Sequence, residues 1–486
     1  MDRRPTNGDE QIVMGNFQPG MHVHLVGIGG TGLSAVAQVL LGRGFRVSGS
    51  DRQLNEMTSR LEDNGATIYA GHASDQIDGA DLLLVSSAIP SQNPEVQAAN
   101  RAGIPVLKRN DFLAKLMKGS YGIAVAGTHG KTTTTGMIAQ ILLEAGMDPT
   151  VIVGADLPVL GGNGRAGQSD YFVIEADEYD YMFLGLRPNL AIVTNVEYDH
   201  PDLFANPSAY RAAFVEFVER IQRDGHLIAC ADDPGAVVLA DRAETLQFDV
   251  VTYGLSKGDW QAVDLRPNQL GGSDFLVQHA GKVIGLARLR VPGRHNVQNA
   301  TAAVAAATIL GVGFDKIRTA LGAFGGLGRR FQVLGEAGDV VIIDDYAHHP
   351  TEIRATLEAA RQCFPRRRIW AVWQPHTFSR TKALLGEFAS CFQQADRVIA
   401  LDIYRSREQD TLGIDTAQVV HEFTNAQVNY VGDIVEATNY LFERILPGDV
   451  VITLSAGDGN QVGELLLKQL RQRHTVGSGS SARQGG

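Results

Sequence analysis

Apolar positions along the chain gather into short unbroken runs separated by longer stretches with helical spacing. The runs at His22–Val26, Leu82–Val85, 171–174, Leu190–Val193, 340–343, 369–372 and 398–401 each have the length of a strand buried on both faces. Between them lie amphipathic patterns such as 33–41 and 111–117, and an alanine-rich run at 300–312. Such alternation predicts α/β architecture with mostly parallel sheets, because a parallel strand needs a crossover helix and is covered on both sides. Strand, glycine loop and helix recur at 21–42, 122–145 and 449–470, with no periodic internal repeat. Ligands of open α/β sheets bind at the carboxyl ends of the strands, so these loops are the first place to look for chemistry.

With 486 residues, the chain has room for about three domains at roughly 150 residues each. Residues 1–20 are polar and are expected to be a disordered extension, followed by a first domain at 21–118 that ends near Lys118-Gly119-Ser120. A central domain is expected at 119–327, closing on the glycines of Gly325-Gly326-Leu327-Gly328, and a third at 328–474. The tail 475–486 is rich in Gly and Ser and reads as disordered.

Composition narrows the function. A net charge of -11 excludes a nucleic-acid protein, whose ligand demands a basic face, so any phosphate binding is local. Residues 1–20 hold no apolar segment and 300–312 is too short to span a bilayer, which gives a soluble, cytoplasmic reading without membrane insertion. Cys230, Cys363 and Cys391 lie far apart and form no metal or disulfide spacing, so they are expected to be buried and inert.

The chemistry-bearing segments stand at strand ends. Gly127-Thr128-His129-Gly130-Lys131-Thr132-Thr133 joins an apolar strand to a helix. Backbone amides there face an anion, Lys131 adds a mobile charge, and the Thr132 hydroxyl stands where a Mg2+ ligand is needed. A second loop, Gly27-Ile28-Gly29-Gly30-Thr31-Gly32, fits the dinucleotide pattern, with Asp51 about 20 residues on at the end of another strand. Two separate phosphate-bearing ligands are therefore expected. Glu175 to Asp180 and Asn195 to His200 close two further strands, and Glu175 with His200 offers a metal set beside Thr132. Asn296 and Asn299 open the alanine-rich helix, where they suit either a base edge or a cap. Arg329-Arg330-Phe331, Asp344 to Pro350 and Gln374 to Arg380 place further cations and imidazoles after strands; no cysteine or H-E-x-x-H accompanies His348-His349, which argues against zinc.

Taken in this order, the segments resemble the Mur ligases of bacterial cell-wall synthesis, over 21–471. They are joined by Ser86-Ser87-Ala88-Ile89, and the cradle is the short G-T-x-G-K-[ST] form of that family. The resemblance implies a Rossmann-like UDP-binding domain, a central P-loop ATPase-like domain and a Rossmann-like C-terminal domain that closes over the others. It implies ATP-dependent joining of L-alanine to the carboxylate of UDP-N-acetylmuramate through an acyl phosphate, with Mg2+, in a monomer or weak homodimer. Lys131 would clamp the β and γ phosphates together with Gly127, Thr128, His129, Gly130, Thr132 and Thr133; Thr132, Glu175 and His200 would hold metal. Asn296 and Asn299 would face adenine, Asp345 the ribose and Arg330 the phosphates. His348, His376 and Arg380 would line the alanine and acyl-phosphate end, Arg380 taking the amino-acid carboxylate. Gly29, Gly30 and Thr31 would meet the UDP diphosphate, with Ser50, Asp51, His72, Ser87 and Arg109 as further substrate contacts.

Departures from the family pattern are Tyr179, where serine is usual, and Pro201. Tyr179 brings in the related ligase that adds a ready-made tripeptide to UDP-N-acetylmuramate; Gln374-Pro375-His376 and Ser379-Arg380-Thr381 favour the alanine-adding pattern. An NAD-dependent oxidoreductase would explain residues 27–51 but leaves Lys131 and Glu175 without a role, and a nucleotide-sensing protein would keep both loops but show no turnover.

Overall fold

The computed structural model describes residues 17–423 and 427–480. They divide into two compact units. The first comprises the described part of Met1–Val196 with Arg211–Gln261 and Ala302–Ala320; the second comprises Glu197–Tyr210, Ala262–Thr301 and the described part of Leu321–Gly486.

The first unit opens with β1 (His22–Val26), β2 (Arg46–Asp51), β3 (Thr67–Ala70), β4 (Leu82–Val85) and β5 (Val106–Lys108), all parallel in the order β3-β2-β1-β4-β5. The order reverses between β1 and β4, which opens a crevice at their carboxyl ends, where the first glycine loop lies. The helix Thr31–Gly42 after that loop buries Leu33, Ser34, Ala35, Val36, Ala37, Val39 and Leu40, so it is enclosed on most sides and not on one face alone.

A second sheet follows in the same unit, built from β6 (Tyr121–Ala126), β7 (Thr150–Leu157), β8 (Gly162–Arg165), β9 (Tyr171–Glu175), β10 (Leu190–Val193), β11 (His226–Cys230) and β12 (Asp249–Gly254). Its order is β12-β11-β10-β6-β9-β7-β8. Only β8 is antiparallel to its neighbour there. Residues Ile123 to Ala126 of β6 have no exposed surface, as is true of all of β10 beside it, so the strand that feeds the cradle is enclosed on both faces. The first two residues of β13 (Trp260–Pro267) pair with β12.

The rest of β13 lies in the second unit beside the hairpin β14 (Ser273–His279) and β15 (Lys282–Arg288). The last sheet contains β16 (Gln332–Ala337), β17 (Val340–Asp345), β18 (Ile369–Trp373), β19 (Arg397–Leu401), β20 (Val428–Gly432) and β21 (Val450–Leu454). Its order is β16-β17-β21-β18-β19-β20, with only β16 antiparallel. Alternation splits its core in two: Val341, Ile343, Ala371 and Trp373 face one helical layer, Val340, Ile342, Trp370 and Val372 the other. Each such aliphatic or aromatic side chain stabilises the fold by ~1.5–3 kcal/mol, which explains why these strands read as unbroken apolar runs.

Three expectations change. Residues 1–16 lie outside the described residues, but 17–20 are ordered: the Phe17 ring stacks on Phe45 at 4.5 Å and meets Phe112 edge-on at 5.4 Å, an apolar anchor that the polar extension hides. The last helix runs Gln461–Ser480, so the backbone at 475–480 continues that helix instead of starting a disordered tail, and 481–486 lie outside the described residues. Cys230 and Cys391 are buried, with burial pushing the Cys230 thiol up to about 11, whereas Cys363 is only partly covered and its thiol donates to the Gly271 carbonyl at 3.4 Å. Among the described residues no helix is long and apolar enough to cross a membrane.

Candidate active site

In the first glycine loop the backbone is folded onto β2. The amides of Gly27 and Ile28 both donate to the Ser50 carbonyl, at 2.8 and 3.1 Å, and the Gly29 amide donates to Asp51 Oδ2 at 2.9 Å. Asp51 therefore holds the loop, a role the sequence alone did not assign. Gly30 and Thr31 are exposed at the start of the helix Thr31–Gly42, whose first amides carry the partial positive charge that suits a diphosphate. The guanidinium of Arg109 lies over Gly32, where a Cβ would overlap Nη1, and Nη2 reaches Asp177 at 3.3 Å. Ser50 and His72 meet at 2.9 Å after β2 and β3, and Ser87 is exposed in the turn after β4. The sequence-predicted substrate residues thus collect along one edge of the first sheet.

The cradle between β6 and the helix Lys131–Glu144 is braced by the end of β10. Thr128 donates its amide to the Asn195 carbonyl at 3.0 Å, His129 donates its amide to Asn195 Oδ1 at 2.9 Å, and the Thr194 hydroxyl donates to the His129 carbonyl at 2.6 Å. Gly127 has φ +134° and a Cβ there would overlap Thr194 Oγ1, so this position excludes any side chain. Lys131 Nζ lies 2.7 Å from Glu178 Oε2 and donates to the carbonyls of Gly127 and Thr128 at 2.6 and 3.1 Å. Burial works to lower its pKa, but the carboxylates of Glu178, Asp177 and Glu175 outweigh it and raise the value, so the lysine stays charged. The Thr132 hydroxyl donates to Glu175 Oε1 at 2.9 Å, while Glu175 Oε2 accepts the Gly154 amide at 2.6 Å; Thr133 is buried beside them. Two of the three expected metal ligands are therefore adjacent. The pairing of Glu178 with Lys131 is not visible in the sequence, because nothing in the acidic run 175–180 distinguishes this carboxylate from its neighbours.

His200, the third, belongs to the second unit, where Arg380 Nη2 meets its Nδ1 at 3.4 Å. Arg380 differs from expectation. It is 2% exposed, and its Nε and Nη2 fork onto Asp199 at 2.7 and 3.3 Å, so its carboxylate-binding face is already filled from within the chain. A guanidinium taken out of water requires such a partner. Burial alone would raise Asp199, yet Arg380, His200 and His349 hold it well below the usual carboxylate range.

Around this pair the imidazoles have fixed protons. Arg380 Nη1 approaches His376 Nδ1 at 2.9 Å; a guanidinium only donates, so His376 carries its hydrogen on Nε2. His348 Nδ1 faces the Tyr346 carbonyl at 2.9 Å, which only accepts, so Nδ1 bears the hydrogen and Nε2 the lone pair. Burial pushes His348 down to about 4 and His376 well below its ordinary value, which keeps both rings neutral near pH 7. The rings of His348 and His376 lie 5.5 Å apart, and His376 stacks on Tyr404 at 5.6 Å. Asp345 accepts the Ala347 amide at 2.7 Å and the Phe331 amide at 2.9 Å, and burial lifts it to about 6. Arg330 stands 5.1 Å from the Tyr346 ring centroid. Asn299 Nδ2 donates to Asn296 Oδ1 at 3.3 Å and Asn296 Nδ2 to the Pro292 carbonyl at 2.6 Å, which seats both at the start of the helix Arg294–Ile309.

Comparison with known proteins places the chain in a family. Family models described as Mur ligase family, catalytic domain, Mur ligase middle domain, and Mur ligase, glutamate ligase domain match residues 22–121, 125–307 and 329–457. A UDP-N-acetylmuramate--L-alanine ligase of Solibacter usitatus is 45% identical over 96% of this chain and 99% of its own length, and one of Roseiflexus is 44% identical over 93% and 100%. Among solved structures, the UDP-N-acetylmuramate-alanine ligase of Thermotoga maritima superposes with a TM-score of 0.79 at 30% identity, covering 93% of this chain and all of that one. A murein peptide ligase of Psychrobacter arcticus gives 0.72 at 28% identity, covering 93% and 99%. With all three family segments matched in order along the chain, the protein belongs to the Mur ligase family.

Proposed function

We propose that this enzyme joins L-alanine to the carboxylate of UDP-N-acetylmuramate, converting ATP to ADP and phosphate, in the cytoplasmic synthesis of peptidoglycan precursors. The observation that carries the reading is the charged, largely covered Lys131 on a strand-ending loop with the Thr132–Glu175 oxygen pair beside it. The names borne by the relatives above point to the same substrates.

A carboxylate is a poor electrophile, so its oxygen first attacks the γ-phosphoryl of ATP to give an acyl phosphate. Lys131 clamps the β and γ phosphates, exchanging Glu178 and the loop carbonyls for phosphate oxygens, and the loop amides meet the remaining charge. The hydroxyl and carboxylate of Thr132 and Glu175 are hard oxygen donors that would suit Mg2+, which would supply charge neutralisation on the phosphates. Asn296 and Asn299 present donors and acceptors to adenine, Asp345 serves the ribose and Arg330 the phosphates. Alanine's amine then attacks the acyl carbon, and its proton passes to an imidazole or to the leaving phosphate as the C–O bond to phosphate breaks. His376 Nε2–H donates toward developing negative charge, and Arg380, already tied to Asp199, holds the ring of His376 in place.

ADP release measured with UDP-N-acetylmuramate and L-alanine, glycine, L-serine or an L-Ala-γ-D-Glu-containing tripeptide tests this directly. Turnover is expected with L-alanine. Turnover with the tripeptide alone would assign the recycling activity, which Tyr179 and the likeness to the murein peptide ligase favour; no turnover with any acceptor would sink the ligase reading.

A further inference from the structure

Beneath the first glycine loop runs a chain of polar side chains that the ligation chemistry leaves unused: His22, Ser48, His24, Glu95, Ser50 and His72. Its middle is sealed, with the side chains of His24 and Glu95 at 0% exposure. The protons along it can be assigned from donors and acceptors alone. The Gly79 carbonyl only accepts, so His22 Nδ1, 2.9 Å away, carries the hydrogen. Burial lowers the pKa of His22, which fits a neutral ring, and its Nε2 accepts from the Ser48 hydroxyl at 2.7 Å. The Ser48 oxygen then accepts from His24 Nδ1, also at 2.7 Å.

Glu95 sits in the first turn of the helix Pro94–Ala102, capped by Asn93. Burial works to raise its pKa, but the His24 imidazole 3.7 Å away, the Ser50 hydroxyl and the His72 imidazole bring it below the ordinary value, so it is an ionised acceptor. Its Oε2 takes the Ser50 hydroxyl at 2.7 Å, and His72 Nδ1 stands 3.2 Å from the same oxygen and 2.9 Å from the Ser50 oxygen. With the Ser50 hydrogen committed to the carboxylate, His72 Nδ1 has to bear a proton, and Nε2 is the ring atom left for a ligand. Ser50 also carries the glycine loop, because its carbonyl accepts the amides of Gly27 and Ile28. One buried carboxylate thus governs an imidazole at the end of β3 and the backbone of the loop after β1.

We propose that Glu95 is a positioning residue for the nucleotide-sugar: by fixing the proton of His72 on Nδ1 it presents Nε2 as an acceptor for an N–H or O–H of the nucleoside, and by holding Ser50 it sets the glycine loop. The inference rests on the proposed ligase reading. Glu95→Gln removes the charge and offers an N–H as well as a C=O toward Ser50 and His72, so the single proton arrangement that the carboxylate imposes is lost without a change of side-chain volume.

Steady-state kinetics of the full chain, varying UDP-N-acetylmuramate, should show KM for the nucleotide-sugar raised about tenfold in Glu95→Gln, with kcat and the KM for ATP within about twofold. A purely structural role for Glu95 would lower kcat with the folded fraction and leave that KM alone; this result, or an unchanged KM in a folded variant, overturns the proposal. Should Glu95→Gln not fold, titration calorimetry of UDP-N-acetylmuramate binding to His72→Ala decides: about tenfold weaker binding supports it and an unchanged Kd overturns it. If the wild-type chain itself fails to bind UDP-N-acetylmuramate, the ligase reading falls and takes the positioning role with it.

Discussion

At the scale of single residues, the second unit concentrates groups whose ionisation is set by burial. Desolvation holds His295 and His348 down at about 4 and His376 lower still, while it lifts Asp345 to about 6. The signs follow from linkage. A histidine kept neutral by the fold contributes stability above its unfolded value of about 6.5, and that contribution is lost as pH falls toward the folded value. Asp345 acts oppositely, because the folded state favours its protonated form and gains stability as pH drops from about 6 toward about 4. Each group changes stability by at most ~1.4 kcal/mol per pH unit inside its window. Three histidines outweigh one aspartate, so the urea unfolding midpoint of the transition that reports on this unit should fall between about pH 6.5 and about pH 5, and less steeply in His348→Gln. A midpoint that stays level or rises on acidification would show that these rings are not neutral in the fold. Asp199 does not enter this window, since a carboxylate held well below its ordinary value gives up its contribution only under stronger acid.

At the scale of elements, the parallel strands were legible because burial on both faces leaves an unbroken apolar run, as in β4, β10, β17 and β18. Other strands gave no such signal. In β14 burial alternates, with Phe275 and Val277 buried and Asp274, Leu276 and Gln278 only partly so, and β8 is Gly-Asn-Gly-Arg, a strand selected by close packing: a Cβ on Gly164 would overlap the Ala35 carbonyl of the adjoining helix. The site divides in the same way. Glycine, lysine and hydroxyl lie within one loop and could be read from spacing, whereas the hydrogen-bonded pairs Asp199 with Arg380 and Ser50 with Glu95 are distant in sequence. One glycine in the first loop gives a test at this scale. In Gly32→Ala the new methyl displaces the far end of Arg109, which is flexible, so the fold tolerates it and only the partly exposed pair with Asp177 is lost, worth ~0–1 kcal/mol. If Arg109 serves the diphosphate, KM for UDP-N-acetylmuramate should rise about tenfold while the thermal midpoint barely moves; an unchanged KM would remove Arg109 from the substrate site.

For the whole molecule, the decisive feature is that glycine loops followed by helices stand at the ends of strands in two different sheets, one after β1 and one after β6. Had both loops served a single dinucleotide, removing the charge at either would weaken the same binding event. Under the ligase reading they hold different molecules, and the effects separate. Lys131→Ala deletes the cation that faces the transferring phosphoryl group, and interactions made chiefly in the transition state appear as lost kcat. It also leaves Glu178, 1% exposed, without its cation, so the variant's folded state has to be verified by its thermal transition before its kinetics are read. Calorimetry on the folded variant should then give a Kd for UDP-N-acetylmuramate within about twofold of wild type, while ADP release drops by at least about 10³-fold. Parallel loss of both would mean that the loops after β1 and β6 share one ligand, and the assignment of a separate nucleotide triphosphate to Lys131 would have to be given up.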